Sequence, residues 1–216
     1  MATLFVACGN DATGPSSAAP VVSNSEAVPG GDETTEDVAA STSLPAVPAG
    51  QYLEDALHGR AAGYGFATVI TADGQLATVV SGSVVGTASE VVVSTGGVDL
   101  SYLSTPDGRW VKGEDGLWTE LDSDPGGVPP LASLEGPLTA DYVVAEGNVV
   151  VVRATYPGSI LGAPELEEVT IDFEIADGRL VVMRYEATVG DIEVTSETEL
   201  VDADPTVEIT VPPVEG

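Results

Sequence analysis

Four Asp-Gly pairs, Asp73-Gly74, Asp107-Gly108, Asp115-Gly116 and Asp177-Gly178, constrain this chain more than any other feature. Each is flanked by β-branched and aromatic residues. A two-residue type I′ turn needs positive φ at both central positions, which Asp and Gly tolerate, so such pairs between apolar runs signal β-hairpins. Val169, Ile171, Phe173 and Ile175 alternate with Thr170, Asp172 and Glu174, giving one apolar and one acidic face. Leu180–Ala187 returns after Asp177-Gly178, and Gly190-Asp191 turns into Ile192–Glu199. These three segments predict an antiparallel meander, wet outside and apolar inside. Upstream strands are predicted at about 64–71, 75–82, 89–95, 98–104, 109–112, 117–121, 142–145 and 148–156, for roughly eleven or twelve in all.

Helical signals are few. Gln51–His58 places Leu53, Ala56 and Leu57 on one face, with Gly59 as the stop. Pro129–Gly136 predicts a short helix that starts at proline and ends before glycine, and Pro137–Asp141 a further turn. The expected fold is mainly β (α+β): one large curved antiparallel sheet whose apolar face is covered by a few short helices.

The N-terminal part is different in kind. Residues 9–50 are Ser, Thr, Ala, Pro, Gly and Val with scattered acids, and hold no Lys or Arg. Such a stretch buries too little apolar surface to offset its chain entropy, so it is expected to be a disordered tether. The chain's one cysteine, Cys8, follows Phe5-Val6-Ala7 and precedes Gly9-Asn10-Asp11. A small residue before a lone N-terminal Cys resembles the lipobox of bacterial lipoproteins. The resemblance implies a diacylglycerol on Cys8 and cleavage just before it. Residues 1–8 then read as the remnant of a signal whose basic, apolar leader would begin upstream. The remaining span, 51–216, suits one domain.

Charge removes several classes of partner. The chain has 35 acidic and 6 basic residues, a formal net charge of −29. Phosphate backbones need clustered Lys and Arg, so nucleic acid is excluded as a partner, and docking on anionic lipid through basic side chains is disfavoured. A strongly negative chain stays soluble in salt, which accounts for the acidity without a function. Catalysis finds no purchase either. His58 is the only histidine, no G-x-S-x-G elbow occurs, and no two histidines stand at metal spacing. The chain is read as a non-enzyme with no cofactor and no metal. Asp122-Ser123-Asp124 lacks the rest of a calcium loop and reads as a polar turn.

Several motifs in order carry a family resemblance: Gly108-Arg109-Trp110-Val111-Lys112, Asp115-Gly116-Leu117-Trp118-Thr119, Pro130-Leu131-Ala132-Ser133-Leu134, Ala176-Asp177-Gly178-Arg179-Leu180 and Val207–Pro212. With the Cys8 motif and the tether, this order is similar to the actinobacterial LppX/LprG-type lipoproteins and, more distantly, to the periplasmic carrier LolA. The resemblance implies a half-open β-barrel closed by short lid helices, with a lipid-binding cavity between sheet and lid.

The residues argue for a cavity independently. A wide curved sheet lined mostly by Val leaves volume that short helices do not fill. Val69, Val79, Val91, Val93, Leu103, Val149, Val151, Ile171, Phe173, Val181 and Met183 are the sheet candidates for its wall, with Leu131 and Leu134 from the lid. One bulge reverses which face points inward. Trp110 and Trp118 are expected to pair across the hairpin around Asp115-Gly116, and Lys112 and Arg109 to meet nearby acids. The expected function is a lipid-anchored carrier of lipid or lipoglycan acyl chains, on the extracytoplasmic face of the cell membrane. The alternative is a non-catalytic scaffold with a solid core that meets another envelope protein.

Overall fold

The alternating segments all become strands. The computed structural model describes residues 44–113, 115–122, 131–161, 164 and 166–212. Cys8, the expected signal remnant before it, the expected tether as far as residue 43, Ser123 and Asp124 of the expected polar turn, and Pro129 and Pro130 lie outside the described residues. In chain order come α1 (Ala49–His58), β1 (Gly63–Ala72), β2 (Gln75–Val85), β3 (Ala88–Thr95), β4 (Val98–Thr105), β5 (Gly108–Lys112) and β6 (Trp118–Glu120). A 3-10 turn at Leu131–Leu134 follows, then β7 (Thr139–Glu146), β8 (Val149–Pro157), a second 3-10 turn at Gly158–Leu161, β9 (Glu168–Ala176), β10 (Arg179–Val189) and β11 (Ile192–Asp202). Pro137–Asp141 is not a separate turn: β7 has begun by Thr139.

Two of the four Asp-Gly pairs form the turn their composition predicts. Asp73 and Asp177 have φ of 49° and 51°, and Gly74 and Gly178 both have 74°. At Asp107-Gly108 the turn instead uses Pro106 and Asp107, since Thr105 already pairs with Gly108. At Asp115-Gly116 a longer loop closes through Gly116 N–H to the Gly113 carbonyl, and the Asp115 carboxylate accepts the Leu117 N–H.

The described strands form one antiparallel sheet in the order β6-β5-β4-β3-β2-β1-β11-β10-β9-β8-β7. It is two meanders, β1–β6 and β7–β11, fused where β1 pairs with β11. The sheet does not close, and β6 and β7 are its two free edges. Both edges are blunted against pairing with another chain: β6 has 3 residues, and β7 carries a bulge between Tyr142 and Val144. Further register shifts fall at Ile70/Thr71 and Leu180/Val182. Bulges increase local twist and bend the sheet. Gly82 marks another tight place, where a Cβ would collide with the Glu90 carbonyl oxygen of β3.

Cross-strand pairing assigns the faces. Phe66, Thr68 and Ile70 of β1 pair with Leu200, Thr198 and Ser196 of β11, and Met183 and Tyr185 of β10 pair with Phe173 and Ile171 of β9. Val150, Val152, Ala154 and Tyr156 of β8 join this inner face, which α1 and the first 3-10 turn cover. The outer face carries Arg153 and Asp172 in a two-point fork (2.7 Å each), and Arg184 between Glu197 (2.6 Å) and Glu174 (3.0 Å). These carboxylates hold both guanidinium groups more firmly protonated, Glu197 most strongly for Arg184. Such exposed pairs contribute little to stability, and their consequence is to mark this face as the wet one.

Candidate functional site

The inner face has two halves. Over β8, β9 and the start of β10 it is filled. Leu53, Ala56 and Leu57 of α1, with Leu131 and Leu134 of the 3-10 turn, pack on Val152, Tyr156, Ile171, Phe173, Ile175 and Leu180, all buried. β6 and β7 are opposite edges of the sheet, and the 3-10 turn lies between them in the chain. Two tyrosines pin that turn. Tyr156 on β8 donates its hydroxyl to the Leu134 carbonyl at 2.7 Å, and Tyr64 on β1 has a backbone hydrogen bond with Leu131. His58, at the end of α1, meets Glu135 just past the turn at 3.1 Å. At the other end of the helix, Tyr142 of β7 donates to the Val47 carbonyl at 2.8 Å.

Burial raises the pKa of both Tyr156 and Tyr64. Glu54 adds to the effect at Tyr156, and the Leu131 backbone bond partly offsets it at Tyr64. The unfolded chain ionises its tyrosines near the ordinary value of about 10, while the folded state holds these two protonated. Their contribution is therefore fully present below that pH and is lost as pH rises above it. Tyr156→Phe is expected to cost about 1–3 kcal/mol at neutral pH, because it leaves the Leu134 carbonyl unsatisfied. It should also flatten the fall of Tm above pH 10, and an unchanged alkaline slope in a pH series of thermal melts would refute this.

The second half, over β2, β3, β4 and the middle of β10, is only partly covered. Val84, Val91, Val93, Met183 and Tyr185 are half-buried at the margin of the core. Leu100 and Tyr102 continue the same face, paired with Val93 and Val91, and are also half-buried. Thr68 and Thr198, joined at 2.8 Å, and Ser196 place buried hydroxyls along the seam between the halves.

Of the sequence-predicted wall residues, Val91, Val93, Ile171, Phe173 and Met183 lie on this inner face, and Leu131 and Leu134 sit in its cover. Five others lie on the opposite face. Val69 pairs with Val79 and with Glu197 of the outer ion-pair row, and is 44% exposed. Val149 and Val151 flank the inward Val150, and Val151 pairs with Glu174. Leu103 pairs with Trp110, which pairs with Glu120. Val181 is the extra residue of the β10 bulge. The physical reason is that runs such as Val149–Val152 are apolar in both phases of a period of two, so packing and not pattern chooses the phase.

The tryptophans also differ from expectation. They are not cross-strand partners: Trp118 pairs with Lys112, whose Nζ lies 5.6 Å from its ring centroid. Trp110 is 4% exposed, folded back over Gly108, and its buried Nε1–H has no acceptor among the described residues.

One feature was not legible in the sequence. Arg60, just past α1, is buried and donates Nε (3.0 Å) and Nη2 (2.7 Å) to the Leu180 carbonyl and Nη1 (2.6 Å) to Asp202. Pairing of β10 with β11 starts only at Val182, so no β11 residue pairs with Leu180, and the arginine supplies donors to its carbonyl. A cleft of about 380 Å³ opens beside this cluster, lined by Gly59, Gly63, Val85, Arg179, Asp202 and Pro205 among others. A second trough, of about 410 Å³, lies along Gly65, Ala67, Ser81, Ser83 and Val201 on the outer face. Among the described residues no group of three His, Cys, Asp or Glu is arranged to hold a metal ion, and no helix is long and apolar enough to cross a membrane. No protein-family model matches the chain, and no curated protein is found to be similar to it.

Proposed function

We propose that this chain is a non-catalytic lipoprotein, tethered through Cys8 to the extracytoplasmic face of the cell membrane, that holds lipid or lipoglycan acyl chains on the inner face of its sheet. The observation that carries the reading is the half-covered apolar wall of Val84, Val91, Val93, Leu100, Tyr102 and Met183 beside a firmly pinned cover. A wall of this kind gains about 25 cal/mol for each Å² of apolar surface taken from water, with little selectivity for a headgroup. The likeness of the Trp hairpin and turn motifs to LppX/LprG-type and LolA-like carriers supports the same reading.

Native mass spectrometry of the full chain after incubation with phosphatidylglycerol vesicles tests it. Adducts of phospholipid mass, lost on denaturation, are expected. Val91→Glu on the inner face should remove them, and Val79→Glu on the outer face should not. Clean masses throughout, or equal loss in both variants, would sink the carrier reading. The tight packing beneath α1 favours the alternative, a solid scaffold that meets an envelope protein through its acidic outer face. That alternative predicts the clean mass.

A further inference from the structure

Basic groups are scarce in this chain, 6 against 35 acids, yet two of them converge on a single carboxylate. Arg60 and Arg179 each place Nη1 at 2.6 Å from Asp202 Oδ1. Their situations differ. The Arg60 side chain is 5% exposed and is committed to the Leu180 carbonyl and Asp202. Arg179 is 57% exposed and grips Asp202 end-on, with one nitrogen, Nη1, at 2.6 Å from both carboxylate oxygens. Among the described residues no acceptor engages its Nε or Nη2. An exposed pair of this kind adds little to stability, so the fold does not require Arg179. What Asp202 does, itself held from behind by Arg60, is fix where the Arg179 guanidinium stands.

Arg179 lines the cleft of about 380 Å³ between the α1–β1 turn and the chain after β11. The other acid on its wall, Asp204, is already engaged: its Oδ1 accepts the Thr206 N–H (2.8 Å) and hydroxyl (2.7 Å), and these bonds lower its pKa. Asp202 thus stands between two arginines and Asp204 is already engaged, so both acids on the cleft wall are occupied in a chain of net charge −29. A planar guanidinium with two adjacent unused N–H groups is the geometry that takes a carboxylate or phosphate by a two-point grip. We propose that this cleft binds a small oxyanion, the carboxylate or phosphate group of a free solute or of a lipid headgroup, through the free edge of Arg179, with Arg60 and Asp202 as positioning residues. The site is separate from the apolar wall, so it stands whether or not that wall carries acyl chains.

The test is titration of the full, isotope-labelled chain with inorganic phosphate at about 0.15 M ionic strength, where the repulsive field of the acids is screened beyond roughly 8 Å. The Arg179 Nε–H resonance and the Gly59 and Gly63 amides should move saturably, while Arg153 and Arg184 on the outer face stay still. Arg179→Ala should abolish the response, and Arg179→Lys, which keeps the charge but not the fork, should weaken it by about tenfold. Dihexanoyl phosphatidic acid as a second probe separates the sources. Binding of both probes assigns the site to phosphate groups including headgroups, and binding of inorganic phosphate alone assigns it to free solutes. No saturable shift with either probe, or a shift unaltered in Arg179→Ala, overturns the proposal. Equal binding by Arg179→Lys overturns the two-point grip.

Discussion

Phe173→Ala should lower the unfolding free energy by about 3–5 kcal/mol, the cost of deleting a fully buried ring and leaving its cavity behind. Phe173 is at the centre of the filled half, 0% exposed, with its ring edge-on to Tyr156 at 6.1 Å. The ring pair adds about 0.5–1.5 kcal/mol beyond area burial. The loss also reaches the cover, because Tyr156 holds the 3-10 turn through Leu134. Domains of this size have only about 5–15 kcal/mol in hand, so the variant should unfold at a markedly lower urea concentration with an unchanged slope. Met183→Ala, at the half-covered margin, should cost clearly less. A midpoint for Phe173→Ala within error of the parent, or a larger loss at Met183, would show that the core is not where the packing puts it.

Arg60→Ala should cost about 2–4 kcal/mol, most of it from one stranded acceptor. Leaving a buried carbonyl unsatisfied costs about 1–3 kcal/mol, and removing the buried stem of the arginine adds a lost-packing cost of about 1 kcal/mol. The lost ion pair matters less. Asp202 is 68% exposed and keeps Arg179 as a partner, so the variant strands no buried charge, the case in which breaking a pair is most costly. The effect should be local first: amides near Leu180 and Val182 should exchange faster than those of β8 and β9. Arg60→Lys should recover only part of the loss, since one ammonium cannot serve both Leu180 and Asp202 in the fork geometry. Uniform exchange across the sheet in Arg60→Ala would mean that the bulge does not depend on this side chain.

Much of the fold was legible because its causes are local. Turn chemistry and alternation placed every strand among the described residues. The helix was found from Leu53, Ala56 and Leu57, and in the structure it starts two residues before Gln51, at Ala49. The 3-10 turn at Leu131–Leu134 falls inside the predicted short helix. The candidate wall was half legible. Ile171 and Phe173 have polar neighbours on both sides, so their phase was visible and correct. Val69, Val79, Val149 and Val151 sit in stretches where both phases are apolar, and the phase read from pattern was the wrong one. Leu103 faces away from the main core because Trp110, on the outer face beside it, makes a small apolar cluster of its own. The Arg60 cluster left no sequence signal: its partners Leu180 and Asp202 lie 120 and 142 residues away.

By itself the sequence determined the elements of this protein: a β-rich unit of many short hairpin-linked strands, one amphipathic helix, and an acidic surface. Those follow from steric preferences at turns and from periodicity over a few residues. Only the tertiary structure decided that β1 pairs with β11. That pairing makes β6 and β7 opposite edges of the sheet, with the core-packing turn at Leu131–Leu134 between them in the chain. It also decided which valines face the cover, and brought Arg60, Arg179 and Asp202 together beside a cleft. These are long-range choices, settled by which packing buries the most apolar surface while leaving the fewest backbone groups unpaired, and no window of neighbouring residues contains them.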